Sequence, residues 1–412
     1  MPKGRTFPPE KRTFTDPETG HTVCQLTQAR GHDHHLYFTE TSFLPDGEHL
    51  VFSSDRGGKF DHYLMALATG EFTQLTDVTG RLSSLSSVID PGGDWLYFWE
   101  GPALKALHFQ SLEERLLYTS PPGWRGGLLS VSADGFQLAF ALIPILELKS
   151  ETAKIYSGMN EMFERCDATD VVVVRTDGSG HHVAYHETCW VSHVNVCPSD
   201  RDLILCCHEG SWERVTQRMW LVRADGTGRR PLRPQQPGDA LGHEYWLADG
   251  LTVGYHGRRG PGKEGIFGLI AKDGTDCREY VLPAPCNHCQ STHDGRRHVT
   301  DGLGGQRYIW EIHPQADGQP RCPGRVPAKS GRGENLPHAV GVTGREAAAR
   351  GAEPLWGGRQ ADGTATCTKV VKHDGSFDMQ IGHPHPGTSP DDRWVLYTSD
   401  RGGHCNVYLA EL

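Results

Sequence analysis

The sequence predicts an all-β fold: a seven-bladed β-propeller closed by an N-terminal strand that completes the last blade. Three observations predict it. A short turn followed by an apolar strand recurs seven times along the 412 residues. Most copies run on into a third strand, a glycine-containing hairpin and a fourth strand. The final copy holds only three strands, and the first residues supply a match for the missing fourth.

The turns are read in order. Pro45-Asp46-Gly47 precedes His49–Phe52, Pro91-Gly92-Gly93 precedes Trp95–Phe98, and Ala133-Asp134-Gly135 precedes Leu138–Phe140. Pro198-Ser199-Asp200, Ala248-Asp249-Gly250 and Pro390-Asp391-Asp392 precede Leu203–Leu205, Leu251–Val253 and Trp394–Tyr397, and His293-Asp294-Gly295 leads into a weaker strand. The hairpin is clearest in Tyr63–Leu67, Thr69-Gly70 and Phe72–Thr76. Four short strands per unit, repeated, are the pattern of a propeller. The last unit ends at Val407–Leu412, and His21–Thr27 resembles Phe72–Thr76 closely enough to be its fourth strand. The reading is one domain over residues 1–412, with a helical excursion at about 146–166 and a low-strand insertion at about 315–362. In the excursion Ile155, Met159, Met162 and Phe163 fall at helical spacing. The insertion is rich in Gly, Pro, Arg and Ala.

Bulk composition narrows the function. The formal net charge of −10 argues against a general nucleic-acid surface. An acidic ligand would therefore need a locally positive pocket. No stretch is long and apolar enough for a membrane span, and the first residues contain no apolar run of the secretory kind. The 12 cysteines then read as reduced thiols in a cytoplasm. No signal for an oligomeric state is present.

The histidines carry the chemistry. Aligning the turns on their middle residue and stepping back six positions gives Glu40, Ser86, Leu128, His193, His243, His288 and His385. Equivalent positions on the first strand of each unit converge on the axis of a ring, so these four histidines should face one another at one mouth of the channel. His383 adds a fifth, on the same face as His385 if the strand extends that far. The pair could then grip one metal ion. Gln380 has the opposite parity and joins only if the chain has already bent into a loop. Arg218 enters the third strand of the unit that carries His193, where its guanidinium could hold a carboxylate bidentately or form a surface salt bridge. Cys207-His208-Glu209-Gly210 reads equally as a site loop or a strand end. Cys286 and Cys289 are packing residues, since no second pair follows at zinc-finger spacing. No Gly-x-Ser-x-Gly elbow exists, which argues against the peptidases and esterases that pair a propeller with a hydrolase.

With these residues in place, the chain resembles the oligogalacturonate lyase family. The resemblance is carried by Gln380-Ile381-Gly382-His383-Pro384-His385-Pro386 with Ser389-Pro390-Asp391-Asp392, and by Gly242-His243-Glu244-Tyr245-Trp246. Cys207-His208-Glu209-Gly210 through Arg218-Met219-Trp220-Leu221, and Pro283 to His288, extend it. His34 to Phe38, on through Asp46-Gly47, matches more loosely, and the similarity covers nearly the whole chain apart from 315–362. It implies a cytoplasmic seven-bladed propeller that cleaves short oligogalacturonates by β-elimination with a manganese ion. The metal ligands then fall on His288, Gln380, His383 and His385, the base on His243, and the arginine that holds the substrate on Arg218. His193 and His208 are counted with Arg218 as substrate-binding residues.

The chemistry is coherent on its own terms. Elimination removes the proton on C5 of a uronate, beside a carboxylate that resists carbanion formation. A divalent cation with Arg218 would neutralise that carboxylate, and His243 would take the proton. Three histidines and a glutamine suit manganese, zinc, nickel or iron alike. The rival readings are a lyase for another uronic-acid oligosaccharide and a non-catalytic binding propeller.

Overall fold

The computed structural model describes residues 2–152, 156–260, 262–316 and 361–412. Among them the chain is all-β, and the sheets follow one another as antiparallel meanders. One sheet runs Leu82–Ile89, Trp95–Glu100, Ala103–His108, Glu114–Thr119. The next runs Trp124–Val131, Gln137–Pro144, Thr169–Arg175, His181–Glu187, and a third Val191–Cys197, Asp200–His208, Met219–Arg223, Arg230–Pro231. First strands of successive sheets lie side by side: Leu82–Ile89 against Trp124–Val131, that strand against Val191–Cys197, and that against Ala240–Trp246.

The recurring turn has a local cause. Asp46 Oδ1 accepts from the backbone N–H groups of Glu48 at 2.8 Å and His49 at 3.1 Å. Asp249 does the same for Leu251 at 2.8 Å and Thr252 at 3.0 Å. An aspartate side chain thus closes the turn, and a glycine takes the left-handed residue after it. At Gly250, φ is 59° and a Cβ would stand 2.4 Å from the Ser199 backbone nitrogen, so only glycine fits.

The first and last parts of the chain share a sheet, in the order Arg12–Thr15, Thr22–Gln25, Asn406–Glu411, Trp394–Ser399, Gly387–Thr388. Val23 pairs with Ala410, Cys24 with Leu409 and Gln25 with Tyr408. Arg12–Thr15 adds an outer strand that the repeat pattern does not foretell, and Thr6–Phe7 adds another to the edge at Phe72–Gln74. Both are too short to show a period of two. Ala240–Trp246 opens a sheet of eight strands, in which Arg278–Val281 runs parallel to Gly363–Lys372.

Residues 317–360, nearly all of the expected insertion, lie outside the described residues. The strands flanking them, Tyr308–Ala316 and Gly363–Lys372, pair with each other, with Ala316 opposite Gly363. The excursion holds a seven-residue helix, Met159–Arg165, that buries Met162. It is shorter than the spacing suggests, and Ile155 lies outside the described residues.

Apolar clusters fill the spaces between neighbouring sheets. Phe98, Leu96 and Leu107 meet Val51 and Leu75, while Phe52, Tyr63 and Phe72 meet Leu396, Val407 and Leu409. Burial on this scale stabilises by roughly 25 cal/mol per Å² of apolar surface. Buried histidines bonded to serines cross between sheets or lie within one. His62 lies between Ser53 Oγ at 3.0 Å and Ser87 Oγ at 2.9 Å, His34 meets Ser84 Oγ at 3.0 Å, and His298 meets Ser291 Oγ at 2.8 Å.

Burial lowers the pKa of His34 and His298 to about 4 and of His62 to about 3, so all three fold as neutral rings. The unfolded chain takes up their protons near pH 6.5, so the stability they support is complete above that pH and is lost as pH falls toward 4. At pH 5 each costs at most about 2 kcal/mol. Thermal melts should therefore show Tm falling steeply below pH 6.5, and less steeply in His62→Gln. A Tm that stays flat from pH 6.5 to 5 contradicts this account.

Candidate active site

His193, His243, His288 and His385 converge in a buried cluster. Ring centroids are 5.7 Å apart for His193 and His243, 4.4 Å for His243 and His288, and 4.4 Å for His288 and His385. Strand alternation alone does not aim them. The pairing register shifts between Ser192 and Asn195 and between Gly242 and Tyr245, so His193 and His243 sit in β-bulges with φ of 46° and 52°. A bulge re-aims a side chain at the price of a left-handed backbone. Trp212 packs against the second bulge, where a Cβ on Gly242 would stand 2.4 Å from its ring.

His383 and His385 do not share a strand face, contrary to the expectation. The strand after them spans only Gly387–Thr388, and both histidines lie in the loop before it, with His385 at φ 45°. The 3₁₀ turn Gln380–Gly382 precedes them. That turn removes the parity objection to Gln380, whose amide nitrogen lies 3.4 Å from His385 Nε2. A flip of the amide would present its oxygen instead.

Ring nitrogens of His288, His383 and His385 all lie within 4.8 Å of one another. His288 Nε2 and both nitrogens of His383 are buried without a hydrogen-bond partner. Orphaned buried nitrogens facing one another are what a metal would satisfy. Burial, then the neighbouring His288, pushes His383 down to about 4, and the same causes hold His385 well below the usual imidazole range. Both rings are therefore neutral ligands near pH 7. His288 Nδ1–H donates to Asp301 Oδ2 at 2.9 Å, which leaves Nε2 with its lone pair toward the cluster. Asp301 is fully buried; burial would raise its carboxyl, but His288 beside it holds it low.

His243 is placed to act as a base. Its Nδ1 contacts the Asn287 carbonyl oxygen, which can only accept, so the proton resides on Nδ1 and Nε2 is free. Burial, then the neighbouring His288, lowers its pKa well below the usual value. Under the histidines lies an aromatic floor. The Phe38 ring stacks on His385 at 6.0 Å and meets His288 at 5.3 Å and His243 at 5.8 Å, while Tyr37 meets His385 at 5.0 Å. Glu40, the register equivalent in the first unit, lines a 160 Å³ cavity that also borders Phe38, Trp246 and Gln290. Burial raises its pKa to about 8.

Arg218 is buried, at 1 % exposure, and its fork is occupied. Nε donates to Glu244 Oε2 at 2.8 Å and Nη1 to Glu209 Oε1 at 2.9 Å. A free bidentate grip on a ligand carboxylate is therefore not what this arrangement offers; it offers a fixed positive charge. Burial would raise Glu209, but Arg218 and then His193 outweigh it and hold the group at about 2. His193 completes the cluster, 3.5 Å from Glu244 Oε1 and 3.3 Å from Tyr37 Oη.

His208 is not brought to the site. It faces Glu187 at 3.2 Å and stacks on Trp220 at 5.0 Å, while its neighbour Glu209 turns to Arg218. Consecutive strand residues point to opposite faces, and this strand sends Glu209 inward. Glu209 and Glu244 were each one residue from a singled-out histidine, a signal sequence reasoning passed over. Asp301, Asn287 and His256 carry no motif of their own. Cys286 and Cys289 are buried, with Sγ atoms 3.6 Å apart.

Comparison with known proteins identifies the relatives of the chain. A family model described as "Oligogalacturonate lyase" matches residues 1–308. The chain is 26% identical to an oligogalacturonate lyase of Dickeya dadantii (strain 3937), covering 100% of this chain and 98% of that protein. It is also 26% identical to an oligogalacturonide lyase of Pectobacterium atrosepticum, with the same coverage. A solved oligogalacturonate lyase in complex with manganese is similar at TM-score 0.81 and 26% identity, over 100% of this chain and 98% of that one. A Vibrio parahaemolyticus structure at 24% identity and TM-score 0.80 shares the fold.

The Asp301–His288 contact makes a direct test of the metal reading. Asp301→Asn should keep a near-native Tm and weaken divalent-metal binding about 10- to 100-fold, as loss of a carboxylate behind a ligating histidine does. Calorimetric titration of the metal checks it, and unchanged affinity counts against His288 as a ligand.

Proposed function

We take as premise that the chain belongs to the oligogalacturonate lyase family, and infer from it how this site works. The protein is a carbon–oxygen lyase that cleaves short oligogalacturonates by β-elimination, with manganese as its cofactor. The observation that carries the residue assignments is the orphaned nitrogens of His288 and His383 beside a His243 whose Nε2 is free.

His288, His383 and His385, with the amide oxygen of Gln380, would hold the metal. When bound, it supplies a divalent charge that polarises the uronate carboxylate and stabilises the developing enolate, an effect of several kcal/mol. His243 Nε2 takes the proton from C5, and Asn287 keeps the other ring proton on Nδ1. Such general-base help is worth roughly 10²–10⁴-fold. The C4–O bond then breaks, leaving an unsaturated uronate at the new non-reducing end. Arg218 contributes charge without letting go of Glu209 and Glu244. Its two carboxylate partners fix the guanidinium in place, so the charge costs no reorganisation during the reaction. His193, between Glu244 and Tyr37, faces the substrate side of this cluster. The aromatic floor of Tyr37 and Phe38 keeps water from entering beneath the histidines.

The same reading takes the sheets as seven blades of one propeller over residues 1–412, with the eight-stranded sheet as two of them. The repeated turns, the side-by-side first strands and the pairing of Thr22–Gln25 with Asn406–Glu411 support it. The partner is an acidic oligosaccharide, not nucleic acid or a membrane; no described helix is long and apolar enough to cross one. A cytoplasmic location goes with reading the cysteines, most of them buried, as reduced thiols.

Incubating the manganese-loaded protein with di- and trigalacturonate should yield unsaturated product, followed by its ultraviolet absorbance. His243→Ala should keep its metal and lose turnover by roughly 10²–10⁴-fold. His385→Ala should lose metal as well. Full activity in His243→Ala would remove it as the base.

A further inference from the structure

His256 is a buried imidazole that the reaction as described does not use. It lies on the strand Thr252–Arg259, opposite Gly242, and is fully buried. Its Nε2 is 2.9 Å from His243 Nδ1. The two rings lie edge to edge and nearly coplanar, with centroids 5.1 Å apart at 25°, and Trp212 stands edge-on to both, at 5.2 and 5.4 Å. The proposed base therefore has a second imidazole behind it, closed off by an indole.

We propose that His256 is the positioning residue of His243: its Nε2 accepts from His243 Nδ1–H and holds the ring with Nε2 directed at the substrate. The inference rests on His243 being the base. Two groups converge on one nitrogen, and their chemistry decides the proton. The Asn287 carbonyl can only accept, so if His256 were the donor, His243 Nδ1 would have to set its own lone pair against that carbonyl. Only the arrangement with the proton on His243 Nδ1 satisfies both neighbours. His256 then carries its proton on Nδ1, on the side of the neighbouring Cys286 thiol.

A second contact is needed because of the backbone. His243 sits in a bulge at φ 52°, so the regular pleat does not set its direction. One acceptor fixes the tautomer but lets the ring pivot about that bond. Asn287 also adjoins His288, so it lies on the segment that ligates metal, whereas His256 belongs to an inner strand of the sheet. Its hydrogen bond, made close to the plane of both rings, fixes the ring plane together with the Trp212 indole. A base held within a few tenths of an ångström of its proton gains rate that a loosely held one forfeits.

Two amide substitutions test this in the manganese-loaded full chain acting on trigalacturonate. Glutamine places its amide where His256 Nε2 is; asparagine stops near the position of Nδ1 and cannot reach His243. His256→Asn should lower kcat about 10- to 100-fold with KM and bound metal unchanged, the usual cost of losing a group that orients a catalytic histidine. His256→Gln should recover kcat to within about threefold of the unsubstituted protein. A merely structural role predicts that the two amides behave alike, so equal kcat in both variants overturns the proposal. So does a loss in His256→Asn that appears in KM or in bound metal instead. His243→Ala run in parallel separates the premises: if it retains turnover, the base assignment falls, whereas loss there with full activity in His256→Asn removes only His256.

Discussion

The site is organised by buried charge. Glu209, Glu244 and Asp301 are all removed from water, and Arg218 is the one buried guanidinium among them. An unpaired buried carboxylate costs several kcal/mol, so each of the three is tied to a cation or an imidazole N–H. Glu209 and Glu244 share Arg218, and Asp301 binds His288. Three carboxylates against one guanidinium still leave the cluster electronegative while the histidines are neutral. An anionic uronate would be repelled by such a site. A divalent cation held among His288, His383 and His385, as proposed, would therefore serve binding as well as chemistry, because it would reverse the sign of the field the carboxylate meets. Arg218, already committed to two glutamates, cannot do this alone.

The second constraint is steric. To converge, side chains on adjacent first strands must leave the pleat, and they do so through left-handed residues at His193, His243 and His385. Each such residue costs on the order of 1–3 kcal/mol. The strain is held by paired strands on either side and by large side chains packed over the bulges, with Trp212 filling the space beside Gly242. The last unit departs from this scheme. Its first strand is only Gly387–Thr388, and the freed loop contributes Gln380 and His383 in addition to the shared position. The proposed chelate depends on that strand being short.

Much of this was legible in the repeats. Seven similar turns gave the all-β architecture, and a fixed offset from them picked out the four histidines that converge. Repetition works as a signal because equivalent positions in stacked units are brought to equivalent places. What lay outside it was less accessible. His208 was counted with the substrate-binding residues, yet it turns to Glu187 while Glu209, the next residue, turns to Arg218. Arg218 was placed near the site, but its glutamate partners come from two different strands that no spacing connects. Asp301 and His256 lie on second strands, where a polar residue looks like any other until pairing sets it beside His288 or Gly242. Tyr37 and Phe38 read as ordinary apolar strand residues, although they form the floor of the site.

These pieces bear on one difficulty of the proposed reaction. The positive charge that stabilises an enolate also discourages protonation of a nearby base. Burial, His288, His256, His193 and Arg218 all keep His243 neutral, which leaves it ready to accept a proton and makes it a weaker base. Neutralising the carboxylate is worth several kcal/mol, and a general base of roughly 10²–10⁴-fold is worth about 3–5 kcal/mol, so neither can be sacrificed for the other. The geometry separates the two demands across one ring. In the proposed reaction Nε2 would meet the side of the metal and Arg218, where charge would develop on the substrate. Nδ1 faces the Asn287 carbonyl, an acceptor that favours the ring once it carries a second proton. Electron density supplied from behind offsets part of what the cations in front withdraw, and it does so without placing another carboxylate in a site that already holds three.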